Sequence, residues 1–146
     1  MSKHFNTSID KLLVTVEHPT VEQLQRLEYT LNELELPRNH FNFSFVITSG
    51  LRPPKKKYSQ HQDGYAADFV PVRDIGVVFE WMCKFCQYDQ IILETKSVIR
   101  KGRKVTYKWI HLSLKKSNNR HEALVATIVV VDGKETTTYE RYELHK

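Results

Sequence analysis

The sequence predicts a single α+β domain, residues 1–146, with N-terminal helices packed on an antiparallel sheet. Three observations carry this. A chain of 146 residues has room for one core and little else. Apolar residues at helical spacing come early. β-Branched runs separated by turn dipeptides cluster later, and such segregation is the mark of α+β folds.

From Thr20 to Leu34, Val21, Leu24, Leu27, Leu31 and Leu34 recur at intervals of three and four, which makes an amphipathic helix. Thr20 and Ser8 are suited to cap this helix and an earlier short one, and Pro37 is expected to end it. Phe43–Ile47 reads as a strand before the breakers Ser49-Gly50 and Pro53-Pro54. A second short strand, Tyr65–Val70, follows the Asp63-Gly64 turn. Asp74 is placed to cap a helix running to about Gln87. Asp89–Glu94 and Val105–Leu114 are strand-like and flank a basic turn at Lys101-Gly102. Leu124–Val131 and Glu135–Leu144 flank Asp132-Gly133, a strong hairpin signal.

Composition narrows the class. With 40% apolar, 27% charged and 11% aromatic residues, a disordered tail or a collagen-like fibre is excluded. No apolar run approaches the roughly 20 residues of a membrane span. Nor does a cationic start precede an apolar stretch, so no signal peptide is expected and synthesis in a cytoplasm is. The formal charge is +5, and it is concentrated. Between Thr95 and Arg120 lie nine Lys or Arg and no Asp or Glu, which suits a polyanionic partner or simply a solvated face. Cys83 and Cys86 have no second pair to complete a four-sulfur site, and they read as two buried thiols of a helix.

Two of the seven histidines stand apart. His4, His18, His40, His121 and His145 have no partner pattern and are expected to play ordinary surface roles. His61 precedes Asp68 by seven residues, and Gly64, Ala66 and Ala67 leave room beside that carboxylate. In Lys108-Trp-Ile-His-Leu-Ser-Leu, Trp109, His111 and Ser113 share one face of a strand. Two imidazoles and a carboxylate are a standard three-ligand set for catalytic zinc, with a fourth position left for water. Hydrolysis also needs a carboxylate to handle the proton. If Lys101-Gly102 forms a two-residue loop, Glu94 pairs with Trp109 and has His111 as its diagonal neighbour on the same face. A one-residue slip would turn it away. On spacing alone, a structural histidine and a buried, hydrogen-bonded aspartate remain the plainer reading.

The wording of the segments adds to this. Thr48-Ser-Gly-Leu-Arg52, Ser59-Gln-His-Gln-Asp-Gly-Tyr-Ala-Ala-Asp68, Tyr88-Asp-Gln-Ile-Ile-Leu-Glu94, Trp109-Ile-His-Leu-Ser113 and Asn119-Arg120 occur in that order. The series, from about Leu24 to Leu124, resembles the D-alanyl-D-alanine carboxypeptidase / L-alanyl-D-glutamate endopeptidase family of zinc peptidases. That family includes bacterial wall enzymes and phage endolysins, and it shares its fold with the hedgehog signalling domain. The resemblance implies a hedgehog-like fold and zinc held by His61, Asp68 and His111. It implies Glu94 as catalytic carboxylate and Arg52 as the group that holds the scissile carbonyl or a substrate carboxylate. Ser59, Gln60 and Trp109 are then expected to line the substrate cleft, although turn chemistry beside His61 explains Ser59 and Gln60 equally well. Three departures stand out. Lys108 and Trp109 occupy positions where many relatives carry an acid or another histidine. No second imidazole is therefore left for the oxyanion, and Lys108 cannot serve as the base that some relatives take from three residues before the final histidine. The basic hairpin between Glu94 and Trp109 is also longer than in many members.

The function implied is hydrolysis of peptide bonds in peptidoglycan stems, by a phage-encoded lysis enzyme or virion component acting at the cell wall. The rival readings are a non-catalytic zinc module of the same fold and, less favoured, a nucleic-acid binder using Lys96–Lys116.

Overall fold

The computed structural model describes His4, residues 14–55 and residues 58–143. The expected cap at Ser8 and the residue His145 lie outside them. The described chain is a single small α+β domain of two helices and a six-stranded mixed sheet. Among the described residues no helix is long and apolar enough to cross a membrane.

Helix α1, Val21–Phe41, starts where the sequence places it. Thr20 Oγ1 accepts from the Gln23 amide at 3.0 Å, and Gln23 Oε1 accepts from the Thr20 amide at 2.9 Å. This capping box satisfies donors that a helix start leaves unpaired. Its far end corrects the expectation: Pro37 lies inside the helix, buried, and the helix continues to Phe41. Proline removes one backbone bond, but the last turn is held by packing. His40 stacks on Trp81 at 4.4 Å, and Phe41 meets the same ring edge-on at 5.7 Å.

Strands β1 (Phe45–Ser49) and β2 (Ala66–Pro71) pair antiparallel, and helix α2 (Ile75–Phe85) follows. Asp74 occupies the N-cap position in a left-handed conformation (φ 51°) and makes no side-chain capping bond, contrary to expectation. Cys83 and Cys86 are buried and free, as the apolar spacing predicts. Strand β3 (Gln90–Arg100) runs six residues beyond the expected end at Glu94, β4 (Arg103–Ser113) lies close to the expected Val105–Leu114, and the two stay in register over eleven pairs. Lys101 (φ 51°) and Gly102 (φ 75°) make the two-residue turn, a left-handed pair that matches strand twist. Strands β5 (Glu122–Val131) and β6 (Lys134–Arg141) form the second hairpin.

The sheet order is β1-β2-β4-β3-β5-β6, and β5 pairs parallel to β3. A wholly antiparallel sheet is therefore not what forms. The reason lies in how the edges of β4 are taken. β2 takes the edge of β4 at Ile110–Ser113, so the chain leaving β4 crosses the end of β3 to reach its free edge. Asp89 anchors that crossing, its carbonyl accepting from the Glu122 amide at 3.0 Å.

One face of the central strands supplies Ala67, Phe69, Ile91, Ile110 and Leu112 to a core completed by Leu27, Leu31 and Leu34 of α1 and Val78, Phe79 and Met82 of α2. Strand alternation sends Asp68, His111, Trp109, Ile92 and Glu94 to the opposite face, away from the core formed with α1 and α2.

Candidate metal centre

Asp68 and His111 are direct cross-strand partners in β2 and β4. His61 reaches them from a 3-10 turn, Gln60–Asp63. The turn is closed by Ser59, whose hydroxyl accepts from the His61 amide at 3.3 Å, and by Gly64 at φ 87°. It is seated on α1: Thr30 Oγ1 donates to the Gly64 carbonyl at 3.1 Å, and the Gln23 amide group donates to the Gln62 carbonyl at 3.1 Å. His61 is 1% exposed, so its ring has one place to go.

His61 Nδ1 lies 2.8 Å from the Gly50 carbonyl oxygen. A carbonyl only accepts, so Nδ1 carries the proton. That leaves Nε2 facing Asp68 Oδ1 at 3.2 Å, while His111 Nδ1 faces the same oxygen at 2.9 Å. A neutral His61 thus points a lone pair at a carboxylate oxygen, an arrangement that is favourable only with a proton or a cation between them. The three donor atoms lie within 4.8 Å of one another. A tetrahedral ion with bonds of about 2.0–2.1 Å sets its ligands about 3.3 Å apart, so the donor set fits a metal such as zinc. Among the described residues no fourth His, Cys or carboxylate joins the group. The Gly50 bond is the outer support that commonly orients a ligating histidine.

Burial alone would raise the Asp68 carboxyl, but the His111 and His61 rings beside it, through hydrogen bonding and charge when protonated, hold it well below the usual range. Burial works to lower His111, yet the Asp68 bond and charge, with Glu94 behind them, raise it. Glu94 pairs with Trp109, as the two-residue loop requires, with His111 diagonal to it. Its carboxyl is raised, first by burial, while His111, Trp109 and Arg52 pull it back and Asp68 adds to the rise. The Trp109 indole nitrogen is buried without a full hydrogen bond.

All eight residues singled out by sequence, namely Arg52, Ser59, Gln60, His61, Asp68, Glu94, Trp109 and His111, line one cleft of about 920 Å³. Ser59 and Gln60 do so while also holding the turn together. Gln60 Nε2 donates to Asp89 Oδ2 at 3.1 Å and to the Leu114 carbonyl at 3.3 Å.

The importance of Asp89 was missed by sequence reasoning. Its carboxylate is fully buried and accepts from the Arg120 amide at 2.9 Å, from Arg120 Nε at 3.1 Å and from an Arg120 Nη at 2.7 Å. Lys115 Nζ lies 3.7 Å away. Burial alone would raise this carboxyl, and the Arg120 bonds bring it down to about 2. Asp89 thereby ties the residue before His61 to the loop that carries the chain into β5. The only sequence signal was its place beside Tyr88 and, 31 positions on, Arg120.

Elsewhere, His121 stacks on Tyr88 at 4.1 Å and Lys108 is exposed on the side away from the cleft. Comparison with known protein families, with curated proteins and with solved structures finds no match.

Proposed function

We propose that the chain is a zinc-dependent peptidase of hedgehog-like fold that hydrolyses peptide bonds in peptidoglycan stem peptides, in the manner of D-Ala-D-Ala carboxypeptidases or L-Ala-D-Glu endopeptidases. The observation that carries this reading is the convergence of His61 Nε2, Asp68 Oδ1 and His111 Nδ1 in an open cleft, with Glu94 one diagonal step from His111. The sequence resemblance supplies the substrate class, and a phage lysis enzyme or virion component acting at the wall is the setting it favours.

Those three atoms would hold the ion. Zinc, when bound, polarises a carbonyl and acidifies water. Glu94, half-buried and raised in pKa, suits a carboxylate that takes a proton at its Oε and passes it to a leaving amine. Arg52 lines the same cleft, and its forked guanidinium suits a substrate carboxylate or developing negative charge. Trp109, the cross-strand partner of Glu94, lines the cleft beside it.

The test is a digest of purified peptidoglycan by the zinc-loaded protein, with mass analysis of the fragments. Wild type releases stem fragments and a chelator stops release. Glu94→Gln lowers kcat by at least about 100-fold with zinc affinity unchanged. Equal rates for Glu94→Gln and wild type would remove Glu94 from its role. Full zinc occupancy without cleavage of any wall fragment would instead make the domain a non-catalytic zinc module.

A further inference from the structure

Beyond the cleft, β4 has an edge that no strand among the described residues covers. β2 pairs with β4 only from Ile110 to Ser113, whereas β4 keeps its register with β3 down to Arg103. β2 itself ends at Pro71, which has no N–H to continue a ladder. Residues 103–108 are exposed, and among the described residues nothing else bonds to their outward backbone. Alternate residues of such a strand turn both N–H and C=O outward, so this edge offers about three donors and three acceptors.

The edge is also cationic. Residues 95–108 carry Lys96, Arg100, Lys101, Arg103, Lys104 and Lys108 and no acid. Lys96 reaches Glu135 at 3.7 Å. Among the described residues the other five form no ion pair. The acids of the neighbouring hairpin, Asp132, Glu135 and Glu140, lie with β5 and β6 on the far side of β3. Positive charge is thus concentrated toward the uncovered side of the sheet.

Three occupants can be weighed. A second copy of the same edge would set Arg103, Lys104 and Lys108 against themselves, so like charge repels it. A phosphate polymer would satisfy the cations but lay its oxygens along outward carbonyls. An extended acidic peptide pairs with both backbone groups and sets carboxylates beside the cations. Strand alternation refines its pattern: Lys104 and Lys108 project to one face, and Val105 and Tyr107, 51% and 54% exposed, to the other. We infer that Arg103–Lys108 is a docking edge for an extended peptide of alternating acidic and apolar residues, which adds to the sheet as a seventh strand. The inference does not rest on the catalytic reading.

The test uses the full chain and a fluorescent Glu-Val-Glu-Tyr-Glu-Val peptide. Its controls are a version with Lys for Glu and a version N-methylated at alternate residues, which cannot pair as a strand on one side. At low salt the acidic peptide binds at least about tenfold more tightly than either control. It also slows amide exchange at alternate positions of 103–108. Lys104→Glu with Lys108→Glu, both at exposed positions, weakens binding at least about tenfold. Absence of binding, or equal binding of the N-methylated peptide, overturns the inference. So does equal binding of polyphosphate or oligothymidylate without amide protection, which would make the edge a general polyanion surface.

Discussion

Gly64→Ala tests how His61 is held. Gly64 sits at φ 87°, where a β-carbon costs about 1–2 kcal/mol. A methyl there would also lie 2.5 Å from the Gln23 carbonyl oxygen, 3.1 Å from the Leu27 nitrogen and 3.2 Å from Arg26 Cβ. The first two are backbone atoms of α1 and cannot swing aside. The turn and the helix must separate by about 0.8 Å to restore an ordinary contact, an overpacking cost of about 1–3 kcal/mol. Together these give about 2–5 kcal/mol, a large share of the roughly 5–15 kcal/mol of an ordinary domain. The same separation stretches the Thr30 and Gln23 bonds to the turn and moves His61 against Asp68, so zinc affinity falls about 10–100-fold. Urea denaturation in chelator reads the first effect, and zinc competition against a chromophoric chelator reads the second. Gly76→Ala is the internal control: its β-carbon meets nothing within 4 Å, and in helix α2 alanine stabilises by about 0.5–1 kcal/mol. If Gly64→Ala stays within about 0.5 kcal/mol of wild type and binds zinc equally well, the seat of His61 on α1 has been misread.

Two further outcomes follow from burial. Asp89 has a folded pKa of about 2 against an ordinary 3.8; the folded value is the lower one, so its stabilisation is present above about pH 4 and is lost as pH falls toward 2. Because Arg120 is half exposed and its charge is screened, the contribution is of order 1–2 kcal/mol. Asp89→Asn removes this pH-dependent contribution, and acid titration of stability for both proteins checks it; parallel curves would refute the role given to the carboxylate. Cys83 and Cys86 are each pushed up to about 12 by burial, so at pH 7.5 a thiol reagent modifies them only as fast as the domain opens. Labelling within seconds under native conditions would contradict that.

The candidate site was unusually legible because short-range rules place most of it. A Lys101-Gly102 turn with both residues left-handed sets the pairing of β3 and β4, and that register alone puts Glu94 opposite Trp109 and diagonal to His111. Alternation along β2 and β4 then puts Asp68 and His111 on the same face. What sequence could not supply was non-local. The parallel pairing of β5 on β3 depends on β2 having already taken the edge of β4. The outer half of β3 goes beyond the expected strand because Thr95–Arg100 is mostly polar and has no fully buried residue, so it lacks the buried face that gives strands their alternation. Pro37 and Asp74 misled for a related reason: aromatic packing on Trp81 and a left-handed backbone decided those helix ends, and neither is written in local composition.

Asp68 and His111, partners across a single rung of the sheet, lie 43 positions apart in the chain, and this has a kinetic consequence. The β3–β4 hairpin closes over a two-residue loop and can zip early, whereas the β2–β4 rung must wait for a long loop to close. His61 and Asp68 lie only seven positions apart, but His111 joins them only when that rung forms. If the site binds a metal as proposed, the full ligand set exists only once that rung has formed, and the ion would act as a lock on an assembled domain rather than as its template.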